Sequence, residues 1–270
     1  MSRLIIGDGK VSKIIRRDGD VIISRDECDI TDLHQVMNVV SAFKLPVINC
    51  AAKTDLEWCE INKAATYDVN TAGVINTLLA CEKYSRKFVH ISSGCLFDGN
   101  DKISDENSSP TPSVWYTKTK AWADEFITSY GYDNYMILRP RQLISAMKYP
   151  SNMITKFMKY DSFYAIEDEN SVTCIEDFAN MINHLLNIDA TGIYNCANRG
   201  TLSPYEIASR IRDKLKPSMN VIATTYSDFL SRVPNRRVNT ILSTKKLEKT
   251  GFIPRRASDA LDWCLDNYEQ

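Results

Sequence analysis

Over its first 140 residues the chain switches repeatedly between two hydrophobic periods, and few folds accept that alternation. Leu4-Ile5-Ile6, Val21-Ile22-Ile23-Ser24, Pro46-Val47-Ile48-Asn49-Cys50, Phe88-Val89-His90-Ile91 and Tyr135-Met136-Ile137-Leu138 are short, rich in strand formers and apolar on both faces. Runs of that kind suit strands buried on both sides of a parallel sheet. Between them, Asp32 to Phe43, Asn62 to Tyr84 and Val114 to Tyr130 repeat apolar residues every three or four positions, as helices with one buried face do. Strand, crossover helix, strand, repeated, predicts an α/β protein on a doubly wound parallel sheet. After Pro140 the rhythm breaks. Val172 to Ile175 reads as a further strand and Phe178 to Leu186 as a helix. Ser203-Pro204-Tyr205-Glu206 reads as a helix start, with serine at the N-cap and proline in the first turn. The expected organisation is a sheet domain over 1–140 and a smaller C-terminal lobe over 141–270, some of whose segments return to the sheet.

The first strand runs directly into Gly7-Asp8-Gly9-Lys10-Val11-Ser12, a G-x-G-x-x-S form of the dinucleotide fingerprint. Glycines there let the backbone turn tightly and approach a pyrophosphate at a helix N-terminus. Serine stands where a third glycine is usual. The motif is weak by itself, and its place at the first strand–helix turn of a parallel sheet is what gives it weight. On that reading residues 1–140 are a Rossmann-type NAD(P)-binding domain, with Gly7, Gly9, Lys10, Val11 and Ser12 on the cofactor, and 141–270 form a substrate-binding lobe. The second strand ends in Ser24-Arg25-Asp26-Glu27. A carboxylate there would hold a ribose 2′-hydroxyl and an arginine a 2′-phosphate. Both types are present, so NADP and NAD stay open, with Arg25 and Lys10 favouring NADPH. Asp29 and Ile30 are expected beside the adenine.

Composition excludes several classes. With 33 basic and 34 acidic side chains the formal charge is −1, too small a field to attract nucleic acid or an anionic membrane. No apolar run approaches the roughly 18 residues that span a bilayer. The opening Met1-Ser2-Arg3-Leu4-Ile5-Ile6 reaches Gly7 after three apolar residues, too few for a signal peptide. Cytoplasmic residence is therefore expected. Eight cysteines without a C-x-x-C pair and three histidines suggest neither zinc site nor disulfide framework, so the thiols are expected to be reduced core residues and no metal is expected. A small-molecule substrate is the expected partner, and a homodimer is left open.

The helix from Val114 opens with Tyr116-Thr117-Lys118-Thr119-Lys120, which puts Tyr116 and Lys120 on one face, a turn apart. In a chain with 13 tyrosines the bare spacing means little. Ser92-Ser93-Gly94-Cys95, at the carboxyl end of the fourth strand, is what adds to it, because parallel sheets bind ligands there. Hydride reduction of a ketone builds negative charge on oxygen and needs a proton donor within hydrogen-bond reach. A free phenol, with a pKa of about 10, transfers its proton slowly at neutral pH, and a nearby ammonium lowers that pKa. Tyr116 is thus the expected acid, Lys120 its tuner and a ribose contact, and Ser93 a hydrogen-bond donor to the carbonyl oxygen.

Taken together, these residues resemble the extended short-chain dehydrogenase/reductase superfamily, and within it the dTDP-4-dehydrorhamnose reductase-like group. Ile48 to Thr54, Asp68-Val69-Asn70-Thr71-Ala72-Gly73, Val89 to Gly99 and Tyr116 to Lys120 carry the likeness. A narrower likeness is to bifunctional UDP-4-keto-6-deoxy-glucose 3,5-epimerase/4-keto-reductases of UDP-L-rhamnose synthesis. It rests on Asp55 to Glu60, Gly94-Cys95-Leu96-Phe97, Leu138-Arg139-Pro140-Arg141, Asn152 to Lys156 and Gly192-Ile193-Tyr194-Asn195. The resemblance implies cofactor contacts from Ala51, Ala52 and Lys53. It implies substrate contacts from Thr54, Glu60, Ser93, Cys95, Arg141, Asn152 and Arg237, with the two arginines toward the pyrophosphate or base. It also implies that Cys95 and Lys156 move protons at C3 and C5, which the neighbouring ketone acidifies. Plain reductases of the group carry Asp-Tyr where this chain has Gly94-Cys95. Arg237 sits before Leu242-Ser243 where relatives have Leu-Asp, so its register is open.

The reading favoured by the resemblance is epimerisation of UDP-4-keto-6-deoxy-glucose at C3 and C5, followed by NADPH-dependent reduction at C4 to UDP-L-rhamnose. The alternatives are a reductase alone on a dTDP- or UDP-linked 4-dehydrorhamnose, and a non-catalytic nucleotide-binding regulatory subunit, against which an intact Ser93, Tyr116 and Lys120 speak.

Overall fold

Each of the five apolar runs becomes a strand. In the computed structural model, which describes residues 2–99 and 103–269, these are β1 (Leu4–Ile6), β2 (Val21–Ile23), β3 (Val47–Asn49), β4 (Phe88–Ile91) and β5 (Tyr135–Arg139). A sixth, β6 (Gly192–Asn195), completes the sheet, whose order is β6-β5-β4-β3-β1-β2. The pairings among β1 to β5 are all parallel, with Leu4 opposite Val47, Ile48 opposite Val89 and Val89 opposite Met136. Leu4, Ile5, Val47, Ile48, Phe88, Val89 and Met136 to Leu138 are fully buried, which is why these runs lack the polar alternation of a half-exposed strand. Strand order reverses between β1 and β3. That switch point opens a crevice at the carboxyl ends of the two strands.

The helices of this unit are α1 (Lys10–Ile15), α2 (Leu33–Ala42), α3 (Leu56–Ile61), α4 (Lys63–Tyr67), α5 (Gly73–Lys83) and α6 (Trp115–Ser129). Asp32 caps α2, its carboxylate accepting the N–H groups of His34 and Gln35. The single helix expected from Asn62 to Tyr84 is interrupted: between α4 and α5 lies a π-helical turn, Asp68–Ala72. The wider turn faces Asn70 and Thr71 into the protein. The Asn70 carboxamide bonds both the N–H and the C=O of Lys53 and reaches the Thr119 hydroxyl, while the Thr71 hydroxyl donates to the Thr119 carbonyl. Gly73, just after it, has ordinary helical dihedrals, yet a Cβ there would lie 2.6 Å from Cγ1 of Ile30. Gly73→Ala is therefore expected to lose about 1–3 kcal/mol through overpacking, despite its gain in helix propensity. Denaturant unfolding with an unchanged or higher midpoint would refute this.

Two compact units result. The first holds residues up to Leu96, Pro110–Arg139 and Leu185–Tyr194; the second holds Phe97–Ser109, Pro140–His184 and the chain from Asn195 on. The division is not a single cut near 140. Ile103–Ser104 pairs in parallel with Ile241–Leu242, and the Glu106 carboxylate accepts the Asn195 N–H, so that stretch packs with the later chain. The second unit centres on Ile144, Ile154, Val172, Ile207, Ile211 and Leu261. Its elements include a parallel pair, Ser162–Ile166 with Asn220–Thr224, and the helix Pro204–Leu215, closed by a Ser203/Glu206 capping box. Within its core the Cys174 and Cys264 sulfurs lie 3.7 Å apart. Cys174 donates to Glu176, whose carboxylate also accepts from Ser145 and the Ala146 N–H, so its charge is met by hydrogen-bond donors. No helix among the described residues is long and apolar enough to cross a membrane.

Candidate active site

At the switch point the backbone leaves β1 through Gly7, held at φ +99°. A side chain there would strike backbone, since a Cβ would fall 2.8 Å from the Ala51 nitrogen on the loop after β3. The two loops can meet this closely only because Gly7 is bare. Beside them lies a cleft of about 220 Å³, lined from β1 by Gly7, Asp8 and Gly9, from the stretch after β2 by Arg25, Cys28, Asp29 and Ile30, and from the β3 loop by Cys50 to Lys53. Gly9 is the N-cap of α1 and has open space where a side chain would stand. Ser12, in the place of the third glycine, is fully buried beside Cys50; it is small enough for α1 to pack on the sheet. Burial pushes the Cys50 thiol up to about 11. Lys10 is exposed and Val11 half-buried in the first turn of α1.

Arg25 is paired to Asp29 one turn on, at 3.2 Å, while most of its side chain stays in solvent. Asp29 also accepts from the Thr31 N–H and hydroxyl, and the Thr31 N–H chiefly holds its carboxyl below the ordinary range, despite some burial. Lys53 Nζ lies 5.1 Å above the Trp58 ring, and Thr54 is exposed.

Strand β4 delivers Ser92 and Ser93 to its carboxyl end, where a 3-10 turn, Gly94–Leu96, packs against α6. The Ser93 hydroxyl accepts the Cys95 N–H at 3.1 Å, and Cys95 is half-buried. From α6, Lys120 reaches back under the turn and its Nζ donates to the Ile91 carbonyl at 2.8 Å. Lys120 is 2% exposed, and this burial lowers its pKa to about 8, against the opposing pull of Asp124 and Cys50. Tyr116, one turn earlier, is 9% exposed. Ser93, Cys95 and Lys120 therefore gather at the end of β4, with Tyr116 one turn before Lys120 on α6. Val114, at the N-cap of α6, has no polar side chain to offer the helix; the Glu60 carboxylate of α3 supplies the missing acceptor, taking the Trp115 N–H at 2.6 Å. The Trp115 indole N–H donates to the Lys63 carbonyl and its ring packs edge-on against Trp122.

The other expected site residues stand in the second unit. The Arg141 guanidinium donates to the Val238 carbonyl and its N–H to the Thr173 hydroxyl. Asn152 is fully buried. Its side chain caps the helix Met153–Phe157 and donates to the Ser145 and Met147 carbonyls, so it is a structural cap rather than a group open to substrate. Lys156, on that helix, is exposed. Arg237 is half-buried, donates to the Asn235 carbonyl and accepts the Tyr226 hydroxyl on its own carbonyl. Two residues given no role from sequence stand out in the first unit. Asn70 ties the loop after β3 to α6, and Asp124, buried one turn past Lys120, pairs with Arg139. The four-residue step from Lys120 was a visible signal for the second; nothing in the sequence marked the π turn that aims the first.

Comparison with known proteins places this geometry in context. The chain is 28% identical over 215 residues to a trifunctional UDP-glucose 4,6-dehydratase/UDP-4-keto-6-deoxy-D-glucose 3,5-epimerase/UDP-4-keto-L-rhamnose-reductase of Arabidopsis thaliana, a match covering 75% of this chain and 32% of that protein. The chain thus spans about a third of the length of the trifunctional relatives it matches. It is also 28% identical to a bifunctional dTDP-4-dehydrorhamnose 3,5-epimerase/dTDP-4-dehydrorhamnose reductase of the same plant, over 80% of this chain and 74% of that one. Among solved structures, the dTDP-4-dehydrorhamnose reductase of Bacillus anthracis in complex with NADP superimposes with a TM-score of 0.90 at 23% identity, covering 98% of each chain. The expected Rossmann-type architecture is the observed one. The model for the RmlD substrate binding domain matches from Gly9 to the last residue, and with nearly the whole of both units inside that match, the chain belongs to the RmlD substrate binding domain family.

Proposed function

We propose that the protein is an NADPH-dependent 4-keto-reductase of nucleotide-linked 6-deoxy sugars, acting on a dTDP- or UDP-linked 4-dehydrorhamnose. One arrangement supports this reading most: Lys120 seated on the Ile91 carbonyl at the end of β4, with Tyr116 a turn before it and Ser93 two residues past Ile91. The cleft suits a dinucleotide. Gly7 lets two loops meet without side chains, and Gly9 leaves open space at the start of α1. NADPH, held by Gly7, Gly9, Lys10, Val11, Ser12, Arg25, Asp29, Ile30 and Ala51 to Lys53, would supply the hydride. The protein's own groups then manage the oxygen. Ser93 donates to the ketone oxygen, Tyr116 gives it a proton as charge grows there, and the Lys120 ammonium favours the phenolate that Tyr116 becomes. Burial of Lys120 strengthens this field, because the charge acts through protein rather than water. Arg141 and Arg237 are candidate contacts for the nucleotide diphosphate.

Epimerisation at C3 and C5 ahead of reduction is a second reading. It is favoured by Cys95, half-buried beside Ser93, and by the bifunctional Arabidopsis relative, with Lys156 as the second proton carrier. It stands behind reduction because a relative matched over 84% of its own length, from Streptomyces niveus, is named a dTDP-4-keto-6-deoxy-D-glucose reductase alone.

One assay separates these. Purified protein is given dTDP- or UDP-4-keto-6-deoxy-glucose with NADPH or NADH, with and without a separate 3,5-epimerase, and products are identified by NMR. Oxidation of NADPH only when the epimerase is added supports a reductase alone. Deuterium entering C3 and C5 in D₂O without that helper supports the second reading. No oxidation under any of these conditions overturns both.

A further inference from the structure

We infer that the buried carboxylate of Asp124, one turn past Lys120 on α6, keeps Lys120 an ammonium on the Ile91 carbonyl, and so acts on the reaction through Lys120 as a positioning residue. The inference rests on the reductase reading for its catalytic consequence, although the charge control can be read without turnover.

The layer behind Lys120 is closed to water and contains few charges. On its own helix stand Tyr116 and Asp124, and on the loop after β3 the Cys50 thiol. On β4 stands His90, with Ser92 just past its end, and on β5 stands Arg139. Lys120, His90, Asp124 and Arg139 are each at most 3% exposed. The thiol stays protonated, since burial raises its pKa. His90 stays neutral, because burial and the Lys120 charge both hold its pKa far below the ordinary histidine value. Neither of its ring nitrogens has a hydrogen-bond partner among the described residues. That leaves two cations, Lys120 and Arg139, with Asp124 as the one anion among these groups. Arg139 grips a single carboxylate oxygen, Oδ2, through Nε at 3.1 Å and Nη2 at 3.0 Å. The other oxygen, Oδ1, has no hydrogen-bond partner among the described residues and faces His90 Nε2 at 3.9 Å. A brace between α6 and β5 would gain from using both oxygens. Burial pushes the Asp124 carboxyl up and the Arg139 guanidinium chiefly draws it back down, and the carboxylate held in that ion pair acts on the ammonium one turn away through surroundings that screen poorly. Without it, two buried cations would face each other and Lys120 would shed its proton near neutral pH.

The test is an NMR titration of the full chain labelled with ¹³Cε-lysine, with Lys120→Met identifying the Lys120 signal. Wild-type Lys120 is expected to titrate near the value of about 8. In Asp124→Asn the midpoint should fall by about one pH unit or more, and the alkaline limb of kcat against pH should move down with it. Should Asp124→Asn not fold, Asp124→Ser serves, because it too removes the carboxylate and should move the Lys120 midpoint down. A merely structural ion pair predicts lower stability with the midpoint unmoved in either variant, and that result overturns the inference. A midpoint that moves in an active enzyme whose kcat limb stays put overturns the catalytic link. A wild-type chain that reduces none of the sugars, yet whose Lys120 follows Asp124, fells the reductase reading and leaves the charge control standing.

Discussion

Tyr116→Phe is expected to lower kcat for the 4-keto reduction by about 10²- to 10⁴-fold, the usual worth of a positioned general acid, while leaving NADPH binding and the fold in place. The substitution removes one hydroxyl from a ring that is 9% exposed, so the packing of the ring is kept while the proton donor is lost. Binding by NADPH fluorescence and unfolding by denaturant should both match wild type. The wild-type enzyme should also lose activity as pH rises through about 8, the value to which burial brings Lys120: below it the ammonium is present to support the Tyr116 proton transfer, and above it the amine is neutral. Turnover that survives Tyr116→Phe unchanged would remove Tyr116 from the chemistry and revive the regulatory-subunit alternative.

Gly7→Ala should be the most damaging small substitution outside the catalytic group, and Gly9→Ala the control that explains why. At Gly7 the backbone has φ +99° and the new methyl would meet the Ala51 nitrogen at 2.8 Å. Strain and clash together should destabilise the protein by about 1–3 kcal/mol and spread the mouths of β1 and β3, weakening NADPH binding at least about tenfold. Gly9 has φ −65° and nothing within 4 Å of its would-be Cβ. Its alanine variant should keep wild-type stability and lose affinity for NADPH only, because the methyl enters the space a pyrophosphate would use. If Gly9→Ala bound NADPH as tightly as wild type, the pyrophosphate would have to lie elsewhere.

Where physical chemistry is local, the sequence was legible. The five buried strands, the Ser203 cap and the Tyr116–Lys120 face each depend on residues within a turn of one another. The π turn at Asp68–Ala72 was not legible, because one extra residue per turn shifts an amphipathic pattern without breaking it. The parallel pairing of Ile103–Ser104 with Ile241–Leu242 was invisible for another reason: two-residue strands carry no period, and their partner lies far along the chain. Among the expected substrate contacts, Glu60 and Asn152 have their polar atoms engaged at helix N-termini. A carboxylate or carboxamide suits a helix end as well as a sugar hydroxyl, so residue type alone could not separate the two. Epimerisation was inferred through family likeness, with Cys95 and Lys156 carried over from it, and it stays a proposal behind reduction.

The Asn70 carboxamide has a mechanical consequence. It holds both backbone atoms of Lys53, on the rim of the cleft, and the hydroxyl of Thr119, the residue before Lys120, while its neighbour Thr71 grips the Thr119 carbonyl. The rim and α6 are latched at one point, so neither can shift alone without stretching these bonds. Stiffening the rim would therefore stiffen the seat of Lys120 as well.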